Sequence, residues 1–76
     1  MPAVSGHPRI SIDADICFGK PRITGTRVPV HVILRTLSGS TLDWVLEGYP
    51  DITREDVAAT LAYASDAVLA APVAAE

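Results

Sequence analysis

Residues 29–39 read PVHVILRTLSG, and this run decides what kind of fold the chain adopts. Val30, Ile33, Leu34 and Leu37 stand at i, i+3, i+4 and i+7, which is one continuous apolar stripe on a helix. Pro29 opens that helix at a position where a missing N–H has no cost, and Gly39 stands where a left-handed residue commonly closes one. The same grammar recurs downstream. Ser40 is placed to cap a second helix, with Asp43 three residues on, and Leu42, Val45, Leu46 and Tyr49 repeat the stripe until Gly48 and Pro50 stop it. Thr53 starts a third, again three residues before an acid, Asp56, and Val57, Leu61, Ala64 and Val68 mark a stripe that Pro72 ends. The spacing predicts a mainly α chain with three helices of roughly 9, 8 and 17 residues. A short turn between the last two gives a helix-turn-helix type of bundle.

Upstream of the helices the period changes. Arg9-Ile10-Ser11-Ile12-Asp13 alternates with period two, and Arg22-Ile23-Thr24 is a second short extended piece. Together they predict a small ribbon, which is barely stable alone and must lie on the helices or pair with another chain. Residues 1–8, small and polar with two prolines, read as a loose leader; 9–70 form a single domain, and 71–76 a frayed tail. At 76 residues the chain has room for one domain of marginal stability, which disulfides, a metal or oligomerisation would usually support. Cys17 is the only cysteine, and His7, Cys17 and His31 lack the paired spacing of zinc ligands, so neither a metal nor another cofactor is expected. A homo-oligomer is the support that remains, in keeping with a hydrophobic content of 49%. No apolar run approaches the ~20 residues of a membrane span. A single unpaired cysteine fits a reducing cytoplasm.

Charge is unevenly spread. Residues 1–36 carry Arg9, Lys20, Arg22, Arg27 and Arg35 against Asp13 and Asp15, a balance of +3. Residues 37–76 carry Arg54 against seven acids, a balance of −6. Ordinary solvated surface would give such a split, and so would a basic contact surface opposite an acidic face. The basic groups concentrate in residues 17–30, CFGKPRITGTRVPV, where Pro21 and Pro29 stiffen the backbone, and Gly19 and Gly25 allow close approach to an anion. Lys20, Arg22 and Arg27 are therefore candidate contacts for a partner's acids or for phosphate, with Arg54 as a fourth. A loop whose Thr24 and Thr26 cap the turn before the first helix is the structural alternative.

Other chemistries fit poorly. Gly19-Lys20 lacks the preceding glycine and following Ser/Thr of a phosphate-binding P-loop, and neither histidine has a catalytic partner nearby in sequence, so an enzyme is not expected. The chain contains no Asn and no Gln, the side chains that normally read adenine bidentately. The outer side of the third helix offers Glu55, Ala59, Ala62, Tyr63 and Asp66, a poor face for DNA with only Arg54 at its start. Trp44 lies about 200° around the second helix from Leu42, off the apolar stripe, and reads as an interface anchor. With Ile10 and Ile12 of the ribbon it makes the candidate self-association surface.

The run from Gly19 to Val30 (GKPRITGTRVPV) resembles the hallmark of the bacterial family called domain of unknown function 433. So do Gly39-Ser40, Tyr49-Pro50 and the run Thr53 to Ala64 (TREDVAATLAYA), a resemblance covering about residues 9 to 68. It implies a three-helix, homeodomain-like fold and an antitoxin, encoded beside a toxin with a PIN-like nuclease domain. A stand-alone transcriptional regulator binding promoter DNA is the alternative. The family supplies no catalytic residues to carry over. Stiff guanidinium groups in the basic loop would suit the cluster of acids by which such a nuclease holds its metal ions.

Overall fold

The computed structural model describes residues 3–71. Three short strands, β1 (Ala3–Val4), β2 (His7–Ser11) and β3 (Arg22–Ile23), precede three helices, α1 (Val30–Leu37), α2 (Leu42–Gly48) and α3 (Arg54–Ala70). The strands form one antiparallel sheet in the order β1-β2-β3, in which Ile10 faces Ile23 and Ser11 faces Arg22. Residues 3–8, expected as a loose leader, thus belong to the sheet: Val4 pairs with His7 across a two-residue turn in which Gly6 takes φ +79°. Apart from Ala71, the expected tail lies outside the described residues.

The sheet lies on α3. His7 Nε2 is 2.8 Å from the Asp66 carboxylate, and its ring meets Tyr63 edge to face at 5.4 Å. Two residues along β2, Arg9 Nη1 donates to Asp56 Oδ1 at 2.9 Å. β2 ends at Ser11 rather than Asp13, because Asp13 Oδ1 accepts from the Asp15 N–H and Asp13 O from the Ile16 N–H, which turns the chain away. Ile12 therefore leaves the alternation and is exposed, while Ile10 enters the core.

That core is made of Ile10, Ile23, Val30, Ile33, Val45, Ile52 and Val57, ringed by half-buried Leu34, Leu37, Leu42, Leu46, Tyr49 and Tyr63. The stripes expected for α1 and α2 face it. The third stripe does so only over its first half. Leu61, Val68 and Leu69 are exposed, the last at 85%, because the sheet meets the second half of α3 only along the face that carries Tyr63 and Asp66.

Helix ends show the local causes. Thr53 and Asp56 form a reciprocal capping box: the Thr53 hydroxyl accepts from the Asp56 N–H, and Asp56 Oδ2 from the Thr53 N–H. Thr41, not Ser40, caps α2, its hydroxyl accepting from the Trp44 N–H at 3.1 Å. Pro29 is the N-terminal flanking residue of α1 rather than its first turn. Gly39 is not left-handed; α1 closes through Ser38, whose N–H bonds Leu34 O and whose hydroxyl bonds Arg35 O at 2.6 Å. No helix of the described residues is long and apolar enough to cross a membrane.

Candidate functional site

The loop from Asp13 to Pro29 is built from successive tight turns. Gly19 N–H bonds Ile16 O and Lys20 N–H bonds Cys17 O, both at 3.0 Å. Cys17, Phe18 and Gly19 take φ of +53°, +56° and +75°, three left-handed residues in a row. For the glycine this is ordinary; for Cys17 and Phe18 it costs about 1–3 kcal/mol each and persists only where surrounding bonds fix it. One such bond runs from Cys17 Sγ to Arg27 O at 3.3 Å. The outcome is a Phe18 side chain that is 97% exposed.

After β3 the chain closes a second loop. Thr26 N–H bonds Ile23 O at 3.0 Å with Gly25 at φ +82°, the geometry of a type II turn. The Thr26 hydroxyl donates to Ile23 O and accepts from Val28 N–H, as expected of a turn cap. Thr24 turns the other way, its hydroxyl meeting Ser11 Oγ at 2.6 Å and Pro8 O at 3.3 Å. Ile23 N–H to Val28 O and Val30 N–H to Pro21 O close the neck.

Inside this loop lies Arg22. It is 3% exposed, and its Nη1 donates to Ile23 O at 3.4 Å and Thr26 O at 3.2 Å. The sequence places Arg22 with Lys20 and Arg27 as a surface contact; its guanidinium instead pins the backbone from beneath. Lys20 and Arg27 are exposed, as a contact requires. Arg54 is exposed but paired with Asp43 at 3.0 Å, across the α2–α3 junction. Arg9 serves Asp56. The +3 half of the chain therefore presents Lys20, Arg27 and Arg35 outward, pairs the half-exposed Arg9 with Asp56 and buries Arg22 beneath its own loop.

The expected self-association residues separate. Ile10 is fully buried in the core of its own chain, so its side chain is unavailable to a partner. Ile12 is exposed, and Trp44, 61% exposed, lines a cavity with Thr36, Glu47, Gly48 and Tyr49 that shares no residue with the basic loop. His7, Cys17 and His31 are not brought together: His7 faces Asp66, Cys17 the Arg27 carbonyl, and His31 stands exposed on α1. Phe18 escapes a reading of the sequence. Its only signal is an aromatic residue outside every apolar stripe, followed by glycine.

Residues 10–64 match the family described as "Protein of unknown function (DUF433)". The chain belongs to this family. A crystal structure of a DUF433 member protein from Anabaena variabilis is similar, at 35% identity and a TM-score of 0.66. That likeness covers 76% of this chain and 58% of the neighbour, so this chain spans less than two thirds of its length. No curated protein matches. The match to the DUF433 family takes in both loops and the capping box, and stops before Val68 and Leu69.

Proposed function

We propose that the chain is an antitoxin, a cytoplasmic protein that binds a PIN-like nuclease and neutralises it. The family resemblance motivates the reading. The observation that carries it is the exposed Phe18 ring on strained backbone, with the cations Lys20 and Arg27 on the same pair of loops. An apolar anchor flanked by cations is the chemistry of a protein interface whose partner is acidic. Mixing the protein with the PIN-like product of the adjoining gene tests this: one complex on a sizing column and suppressed RNA cleavage are expected, and separate elution with undiminished cleavage is the contrary result.

A homeodomain-like helix-turn-helix is the finer reading of α1–α3, and it motivates the alternative of a stand-alone DNA-binding regulator. The side chains speak against DNA as the main target. Arg54 at the start of α3 is paired with Asp43, and Asp66 and Glu55 stand exposed along the same helix. The isolated protein is expected to bind duplex DNA no tighter than about 1 μM at physiological salt, the strength of non-specific contact. Fluorescence anisotropy with the protein's own promoter reads this; a nanomolar, sequence-selective complex would make the regulator the better account.

Self-association is the third element. A core of seven side chains supports the fold while Leu61, Val68 and Leu69 on α3 remain uncovered. A second copy of the chain, which carries the same strip, would cover them isologously. Light scattering at about 100 μM is expected to give at least twice the 8.0 kDa protomer mass, and Leu69→Asp the protomer mass. A folded wild-type monomer at that concentration would dismiss the dimer.

A further inference from the structure

Among the described residues, Arg22 is a buried cation without a counter-ion. The ion pairs among the described residues join His7 to Asp66, Arg9 to Asp56 and Arg54 to Asp43, and none reaches Arg22. Its two hydrogen bonds both leave from Nη1, and its Nε–H, shut off from solvent, meets no acceptor. A buried donor left unpaired keeps its whole desolvation cost, and a charged one more so. Beside it lies a cavity of about 480 Å3 lined by Ile16, Arg22, Gly25, Thr26, Arg27 and Asp51.

We propose that this cavity is a carboxylate-binding site, which receives an aspartate or glutamate side chain of an acidic protein partner. With Nη1 held by two carbonyls, the edge left to Arg22 is the one formed by Nε and Nη2. A carboxylate takes that edge side-on, in two parallel charge-assisted hydrogen bonds, once the loop shifts enough to open Nε, which is closed to solvent in the chain alone. Arg27 supplies a second cation at the exposed rim, and Asp51 one negative charge. Two cations against one anion leave a balance of +1, which one carboxylate neutralises. A phosphate, carrying up to two charges at neutral pH, meets Asp51 less favourably. Unlike Lys20 and Phe18, which offer general attraction and apolar area, this cavity selects the partner's residue type. The site deepens the antitoxin reading and rests on it for the partner, while its chemistry belongs to this chain alone and is tested without a nuclease.

The experiment is a titration of the 15N-labelled protein with sodium acetate, against sodium chloride at equal ionic strength, followed at the Arg22 Nε–H resonance and the Gly25 and Thr26 amides. A saturable shift at all three with acetate, absent with chloride, is expected. Inorganic phosphate is expected to bind at least about 3-fold more weakly than acetate, and Asp51→Asn to narrow that gap. Arg27→Ala is expected to melt as the wild type does and to weaken acetate about 5-fold. Arg22 Nε–H moving no more with acetate than with chloride would overturn the site. Phosphate binding more tightly than acetate would overturn its assignment to carboxylates, and an Arg27→Ala affinity equal to wild type would overturn the two-cation arrangement.

Discussion

Asp56→Ala is expected to lower the melting temperature by roughly 10–25 °C. Few carboxylates do so much locally. Asp56 is buried on α3, its Oδ2 completes the capping box by accepting the Thr53 N–H, and its Oδ1 accepts from Arg9 on β2. Loss of a cap costs about 0.5–2 kcal/mol. The ion pair adds to this, although the half-exposed Arg9 side chain is screened by solvent and contributes less than a fully buried partner would. Together about 2–4 kcal/mol is expected, a large share of the stability of a domain this small. The separating controls are Asp56→Asn, which keeps an oxygen for the Thr53 N–H, and Arg9→Ala, which removes the strand's half of the pair; each is expected to cost less than half as much. A thermal melt of Asp56→Ala within 4 °C or so of wild type would mean that β2 is held to α3 by apolar packing alone.

The second large effect is on binding. Lys20→Ala with Arg27→Ala removes two exposed cations and no buried bond made by either side chain. Stability is expected to stay within about 1 kcal/mol of wild type, since exposed changes rarely cost more than ~0.5 kcal/mol each. Affinity for the nuclease is expected to fall by 100-fold or more, because losing one partner of a desolvated charge pair costs roughly 2–5 kcal/mol. Arg22→Ala behaves differently. It releases the carbonyls of Ile23 and Thr26 that the guanidinium holds, so that variant is expected to melt early before any question of binding arises. Titration calorimetry of the double variant, paired with its melt, reads both halves.

The division between Arg22 and its neighbours also marks where the sequence stops being informative. Helical periodicity makes the α1 and α2 stripes legible, since Val30, Ile33, Val45 and their neighbours repeat at the spacing of one face. The same spacing lists Leu61 and Val68, but periodicity says only that a face is apolar, not that anything stands opposite it. Thr53 and Asp56 are readable because a capping box is local. Ser40 and Thr41 both carry a hydroxyl at the right place, and only the backbone angles choose Thr41. In the loop, composition groups three cations together, and nothing in their spacing tells which one folds beneath its own backbone. Positive φ at Cys17 and Phe18 is likewise unwritten, because non-glycine residues reach it through tertiary restraint.

The proposed partner is expected to meet the loops carrying Phe18, Lys20 and Arg27 and not the Trp44 face of α2. Calorimetric titration of the nuclease with Phe18→Ala and, separately, with Trp44→Ala tests it most directly, since both side chains are large, apolar and exposed at 97% and 61% and differ in where they stand. Truncating an aromatic anchor at an interface centre costs about 2 kcal/mol or more, so Phe18→Ala is expected to weaken binding at least 30-fold or so, with Trp44→Ala within about 3-fold of wild type. The reverse order, with Trp44→Ala crippled and Phe18→Ala intact, would contradict the account and move the contact surface to α2.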